Sequence, residues 1–171
     1  MRFRHAALVP ALGVMLAGML PAPFAQAQEV IGEVRATLDG AERQWQTLQS
    51  TDPGVSFNTG AEQFGPVTSI TIQGYEEGGS YTREVIALNW SVMGDEEPMD
   101  ASVMYVPERM SQSWMSLDDE QVLTVEAFDG ESVRGTLSGR LCYKDGFAAP
   151  PDPENCIVIE GTFETQLPAE P

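Results

Sequence analysis

Few side chains in this sequence could serve as a nucleophile or as its base. His5 is the only histidine, and it lies in an N-terminal stretch with the pattern of an export signal. Lys144 is the only lysine and is followed directly by Asp145-Gly146. The sequence contains no G-x-S-x-G motif, and its two cysteines are expected to be oxidised. A serine or cysteine hydrolase would therefore lack a base, and we predict no catalytic residue of that kind.

Carboxylates are the acid–base groups that remain. They cluster in two predicted loops, one holding Asp95, Glu96, Glu97 and Asp100 and the other holding Asp118, Asp119 and Glu120. A glycosidase needs two carboxylates at a fixed separation, so a carboxylate-only glycan hydrolase is an alternative function. With 26 acidic residues in the chain, however, such clusters are also expected as ordinary solubilising surface.

Either acidic cluster could also bind calcium through its oxygen atoms. Neither loop matches the D-x-[DN]-x-[DN]-G pattern of an EF-hand. We therefore predict no metal and no cofactor, and keep Asp118, Asp119 and Glu120 only as weak calcium candidates.

Aromatic side chains near the first acidic cluster suggest a binding site. Trp114 and the loop at residues 95–100 flank a predicted strand at residues 101–106, which contains Tyr105. An aromatic surface beside fixed carboxylates would bind a neutral or cationic glycan or peptide by stacking and cation–π contact. We expect Trp114 to be partly exposed at the rim of the sheet and near this loop. The predicted ligand-binding residues are Trp114, Tyr105, Asp95, Glu96, Glu97 and Asp100.

The N-terminus predicts export. Arg2 and Arg4 precede an apolar run at residues 6–20, and Ala25-Gln26-Ala27 has the small residues of a cleavage site. The run is too short to cross a bilayer as a helix, and no cysteine near the cleavage site could carry a lipid. Residues 1–27 are thus expected to be a cleaved signal peptide, and residues 28–171 a single domain that is periplasmic or secreted.

The charge balance limits the partners. The full chain carries a net charge of −17, and loss of Arg2 and Arg4 would make the mature protein two charges more negative. This disfavours nucleic acid and anionic membrane surfaces as partners.

Strict alternation of apolar and polar residues recurs along the chain and predicts an all-β fold. Eight strands are predicted, at residues 30–38, 43–48, 67–75, 81–93, 101–106, 122–128, 133–143 and 156–167. An antiparallel sandwich and a small closed barrel both accept eight strands, and a small outer-membrane β-barrel is a further alternative. Residues 107–120 fit either a short helix or an edge strand.

The two cysteines also predict a strand register. An exported chain meets an oxidising compartment, in which Cys142 and Cys156 are expected to form a disulfide. If they lie opposite each other on antiparallel strands, large residues face small ones along the whole inner face. The predicted pairs are Gly139 with Ile159, Leu137 with Gly161, and Gly135 with Phe163, with Arg134 and Glu164 facing each other on the outer side.

Two parts of the chain resemble a known group of proteins. The opening hairpin Val34-Arg35-Ala36-Thr37-Leu38-Asp39-Gly40 with Trp45, and the stretches Gly135-Thr136-Leu137-Ser138-Gly139 and Gly161-Thr162-Phe163-Glu164, resemble small exported bacterial β-domains of unknown function. The resemblance covers the two ends of the mature chain and implies an envelope β-sandwich. It implies no activity and no catalytic residue. The function we predict is a non-enzymatic binding or accessory module for an envelope or extracellular ligand.

Overall fold

The computed structural model describes residues 28–50, 56–94, 97–109, 111–146 and 148–168. These residues form β-strands and loops with no helix, which confirms the all-β prediction. In this part of the chain there is accordingly no helix that could span a membrane. The predicted signal peptide lies outside the described residues.

Ten strands are present where eight were predicted. They are β1 (Gln28–Leu38), β2 (Ala41–Ser50), β3 (Gly60–Phe64), β4 (Val67–Tyr75), β5 (Val85–Met93), β6 (Met99–Arg109), β7 (Gln112–Met115), β8 (Leu123–Phe128), β9 (Ser132–Asp145) and β10 (Asp152–Gln166).

Eight of the strands close a ring of antiparallel hydrogen-bonded pairs. The order around the ring is β1, β2, β4, β5, β6, β7, β9 and β10, and β10 pairs again with β1. The two remaining strands are outside the ring: β3 pairs with the first half of β4 and β8 with the first half of β9. Of the two arrangements that the sequence left open, the structure thus has the closed one.

The closure depends on short ladders near one end of the ring. We call this the upper end; it is where β4 and β6 finish and β5 begins. β2 and β4 are paired at only two positions, Gln46 with Tyr75 and Thr47 with Gly74. On the other side, β7 pairs with the last part of β6 and of β9. The opposite, lower end contains the β5–β6 loop and the β8–β9 turn.

The predicted register of β9 and β10 is confirmed along its length. Every predicted pair is present, from Cys142 opposite Cys156 to Arg134 opposite Glu164. Cys142 and Cys156 form the disulfide, with their Cα atoms 3.9 Å apart. The described residues contain no free cysteine.

Apolar side chains from all the ring strands fill the interior. Trp45, Trp90, Leu88, Ile159 and Phe163 are among the buried residues of this core. A smaller apolar cluster lies on the outer face and contains Leu48, Tyr75, Val85 and Val106, with Phe57 packed against it. The outer cluster explains why β5 is buried on both faces near its start, at Val85, Ile86 and Ala87.

Three sequence predictions about the elements need correction. The predicted strand at residues 81–93 begins only at Val85, because the backbone turns out of the sheet at Glu84, which has a φ of 53°. The predicted loop between residues 48 and 67 contains β3. Residues 107–120 contain neither a helix nor an edge strand, since β7 is hydrogen-bonded on both sides.

At the lower end, β8 and β9 form a hairpin in which Val125 pairs with Gly135, and β8 has a bulge between Val125 and Ala127. Leu167 is buried in the core, and its N–H donates to the carbonyl of Glu131.

Candidate functional site

A cavity of about 600 Å³ lies at the upper end of the ring. One wall is the β4–β5 loop at residues 76–84, and the other is the end of β6 at residues 107–109. The Glu84 N–H donates to the Pro107 carbonyl at 3.1 Å and holds the two walls together. The lining residues are Glu76, Gly79, Ser80, Arg83, Glu84, Pro107, Glu108 and Arg109.

Glu84 connects the cavity to the core. Its carbonyl accepts a hydrogen bond from Trp45 Nε1 at 2.8 Å, and its Oε2 accepts one from the Tyr105 hydroxyl at 2.5 Å. Its backbone is in the left-handed region, which is rare and unfavourable for a glutamate. Such strain persists only where the surroundings fix the residue, and it is concentrated at functional sites. These contacts hold Glu84 in place between the core and the cavity.

Arg43 joins Glu84 to a second carboxylate. Its Nη1 lies 3.3 Å from Glu76 Oε1 and 3.6 Å from Glu84 Oε2. Both oxygens thus approach a single nitrogen, which brings the carboxylates of the β4–β5 loop together at the cavity. All three side chains are partly exposed, so their mutual attraction is screened by water.

The packing beneath these groups requires a glycine. Gly74 lies on β4 opposite Thr47, beside the Trp45 ring. A Cβ at this position would be 2.8 Å from the Cβ of Trp45 and 2.9 Å from a methyl group of Ile86. The lack of a side chain at Gly74 thus leaves room for Trp45, whose Nε1 donates to the Glu84 carbonyl.

Aromatic side chains line the inner face next to Glu84. Trp114 on β7 is paired with Tyr105 on β6 and with Tyr143 on β9. The ring centroids of Trp114 and Tyr143 are 5.4 Å apart, and those of Tyr105 and Trp45 are 6.0 Å apart. Trp114 is half-buried, whereas Tyr105 is buried. The structure thus brings together the two aromatic residues predicted to bind ligand.

It does not bring the described residues of the acidic loop to them. Asp95 and Glu96 lie outside the described residues, while Glu97 and Asp100 are exposed. Asp100 is the second residue of β6, at the lower end, and Tyr105 is five positions further along the strand. At about 3.3 Å per residue this is roughly 16 Å. The expected proximity of Trp114 to this loop is therefore wrong. The loop precedes β6 and Trp114 follows it, and segments that flank a strand on its two sides lie at opposite ends of that strand.

The second acidic cluster is placed on the side of the ring. Asp118 and Asp119 are exposed, and Glu120 Oε1 accepts a hydrogen bond from Arg140 Nε at 3.0 Å. Nowhere in the described ranges do three or more His, Cys, Asp or Glu side chains form a group suited to a metal ion.

Two buried tyrosines near the site have altered acidity. Burial, and next the hydrogen bond to Glu84, raise the pKa of Tyr105 above its ordinary value. Burial, and next the charge of Tyr81, raise the pKa of Tyr75 to about 12. In the unfolded chain both hydroxyls would ionise near pH 10.

These shifts predict a loss of stability at high pH. A pKa that is higher in the folded state than in the unfolded one stabilises the fold fully below about pH 10. This contribution is lost as the pH rises from about 10 towards 12. Urea unfolding at several pH values should show the decline, and Tyr75→Phe should reduce it. Equal declines in both proteins would contradict the role of Tyr75.

Sequence reasoning missed the central residues of this site, namely Arg43, Glu76, Arg83, Glu84 and Arg109. One signal was present. The inward positions of β5 are even-numbered, as Ile86, Leu88 and Trp90 show, and Glu84 continues that series. A carboxylate at an inward position requires a buried partner or a break in the strand, and Glu84 has both.

Comparison with protein-family models, with curated proteins and with solved structures gives no match of any of the three kinds. The resemblance of the two hairpin ends to exported β-domains stays a prediction, and the function must be inferred from the geometry of the site.

Proposed function

We propose that the chain is a non-enzymatic binding module of the periplasm or the extracellular space, and that its ligand, a glycan or peptide, occupies the upper-end cavity. The observation that carries the proposal is the strained, multiply bonded Glu84 in the wall of a cavity of about 600 Å³. A cavity of this size falls within the range of small-molecule sites.

The wall is rigid where a binding site needs rigidity. Trp45, Tyr105 and Arg43 hold Glu84 from three directions, two of them from buried side chains. Because these bonds are all formed within the chain, the wall does not need ligand contacts to be ordered, and this lowers the entropic cost of binding. The exposed lining groups, Arg83, Glu108 and Arg109, remain available to a ligand.

Export is proposed from the sequence, because residues 1–27 have the three parts of a signal peptide. The disulfide is compatible with an oxidising compartment.

Arrays of glycans and peptides, probed with the purified protein, would test the proposal. We expect at least one retained ligand whose addition shifts NMR amide signals of residues 76–84 and 107–109. Signals of Glu97, Asp100 and Asp118 provide the control, since these acidic residues lie elsewhere. Binding that shifts only the control signals, or no retained ligand, would refute the proposed site.

A second candidate function follows from the two glutamates. Glu76 and Glu84 both contact Arg43 Nη1, so they could lie close enough to act as the carboxylate pair of a retaining glycan hydrolase. These are not the carboxylates that the sequence suggested for this role. A panel of aryl glycosides distinguishes the two functions: a binding module gives no turnover, whereas turnover abolished by Glu76→Gln or Glu84→Gln would replace our proposal with the hydrolase.

A further inference from the structure

The charges around the upper-end cavity are not all paired within the protein. Glu76 and Glu84 are bonded to Arg43, and Glu84 also to Tyr105. Of the other lining residues, Arg83, Glu108 and Arg109 form no side-chain hydrogen bond or ion pair with any described residue. Two guanidinium groups and one carboxylate therefore border the cavity exposed and without a partner among the described residues.

The two arginines are notable because basic residues are scarce. The chain has nine Lys and Arg residues against 26 Asp and Glu, and two of the nine precede the predicted cleavage site. Arg83 and Arg109 are on opposite walls of one cavity. Arg83 directly precedes Glu84, and Arg109 is two residues after Pro107, the residue that accepts the Glu84 hydrogen bond. The backbone bond between the walls keeps the chain segments that carry both arginines next to each other.

Guanidinium groups bind carboxylates through paired, charge-assisted hydrogen bonds. A carboxylate alone would be repelled by the neighbouring Glu108, which is on the same wall as Arg109. A ligand that carries a carboxylate and, close to it, a cation would satisfy all three groups. Peptides that end in a basic residue have this arrangement, whereas an acidic sugar has no cation.

We propose that the upper-end cavity binds the C-terminus of a peptide whose last residue is basic, with the terminal carboxylate on Arg83 and Arg109 and the basic side chain at Glu108. This inference rests on the proposed binding function and names its ligand class. It also gives the protein a reason to hold unpaired arginines in an otherwise strongly acidic surface.

The probe for the test is N-acetyl-Ala-Ala-Lys with a free carboxylate. It is titrated into the mature protein, residues 28–171, and binding is followed by the NMR amide signals of residues 76–84 and 107–109. The same peptide with a C-terminal amide removes the carboxylate, and N-acetyl-Ala-Ala-Ala removes the cation. We expect the acid to bind about tenfold more tightly than the amide, and more tightly than the alanine peptide.

Variants locate the contacts. Arg83→Gln and Arg109→Gln should each weaken binding of the acid about fivefold and leave binding of the amide unchanged. Arg134→Gln is the matched control, because Arg134 is also exposed but lies on β9 opposite Glu164. Glu108→Gln should abolish the preference for lysine over alanine. Since the three cavity side chains are exposed, these variants are expected to fold, and their far-UV circular dichroism spectra verify it.

Different outcomes separate this inference from the function on which it rests. Equal affinity for acid and amide, or equal losses in Arg134→Gln and the cavity variants, would overturn the inference alone. Tighter binding of digalacturonate than of the peptide acid would also overturn it, and would assign the cavity to an acidic glycan. A cavity that responds to none of these probes and to no array ligand would overturn both.

Discussion

Replacing Phe163 by alanine should lower the free energy of unfolding by about 3–5 kcal/mol. The Phe163 ring is 2% exposed and lies between Val34 on β1 and Gly135 on β9. It also packs against the Trp90 ring, with the two ring centroids 6.0 Å apart. The substitution would leave a cavity at the junction of three strands, which the ladders on either side keep from collapsing.

Urea unfolding followed by tryptophan fluorescence measures this loss. Phe64→Ala makes the same chemical change on β3, where the side chain is 62% exposed, and should change stability by less than about 0.5 kcal/mol. Similar losses for the two variants would show that Phe163 does not pack as described.

Removal of the disulfide should have the second largest effect. Cys142 and Cys156 have a sequence separation of 14, and a bridge that closes a loop of this length contributes about 3 kcal/mol by restricting the unfolded chain. For a domain of this size such a loss corresponds to a melting temperature lower by roughly 10 °C. The register of β9 and β10 should survive, because it is also maintained by the apolar and glycine pairs further along the strands.

The double variant Cys142→Ala/Cys156→Ala tests this, with chemical reduction of the parent protein as an independent comparison. Thiol titration of unfolded, unreduced protein should give close to zero free thiols. Two reactive thiols in protein taken from its native compartment, or an unchanged melting temperature on reduction, would contradict the prediction.

The register of β9 and β10 could be predicted because local information determines it. One covalent bond fixes the alignment of the strands, and the alternation of Gly135, Leu137 and Gly139 against their partners then leaves little freedom. The burial of Trp90 follows the same kind of local alternation, since Trp90 continues the inward series of β5.

The candidate site could not be predicted in this way. Its residues come from β2, the β4–β5 loop and the end of β6, and they meet only because β2 pairs with β4 out of chain order. The break in alternation at Glu84 depends on a φ that is unusual for its residue type and that tertiary contacts impose. The acidic residues at 95–100 attracted attention by their number, yet their charge says nothing about which end of the sheet they occupy.

The pairing of β1 with β10 has a consequence for the order of folding. Val34 lies opposite Phe163, so the first strand of the described chain completes its ladder only with the last one. Contacts between residues so distant in sequence form slowly, because a long loop must close before they can form. Until β10 is available, β1 therefore has only one of its two neighbouring strands. The ring of strands closes only when this non-local ladder forms, so we expect its closure to be a late and slow step of folding.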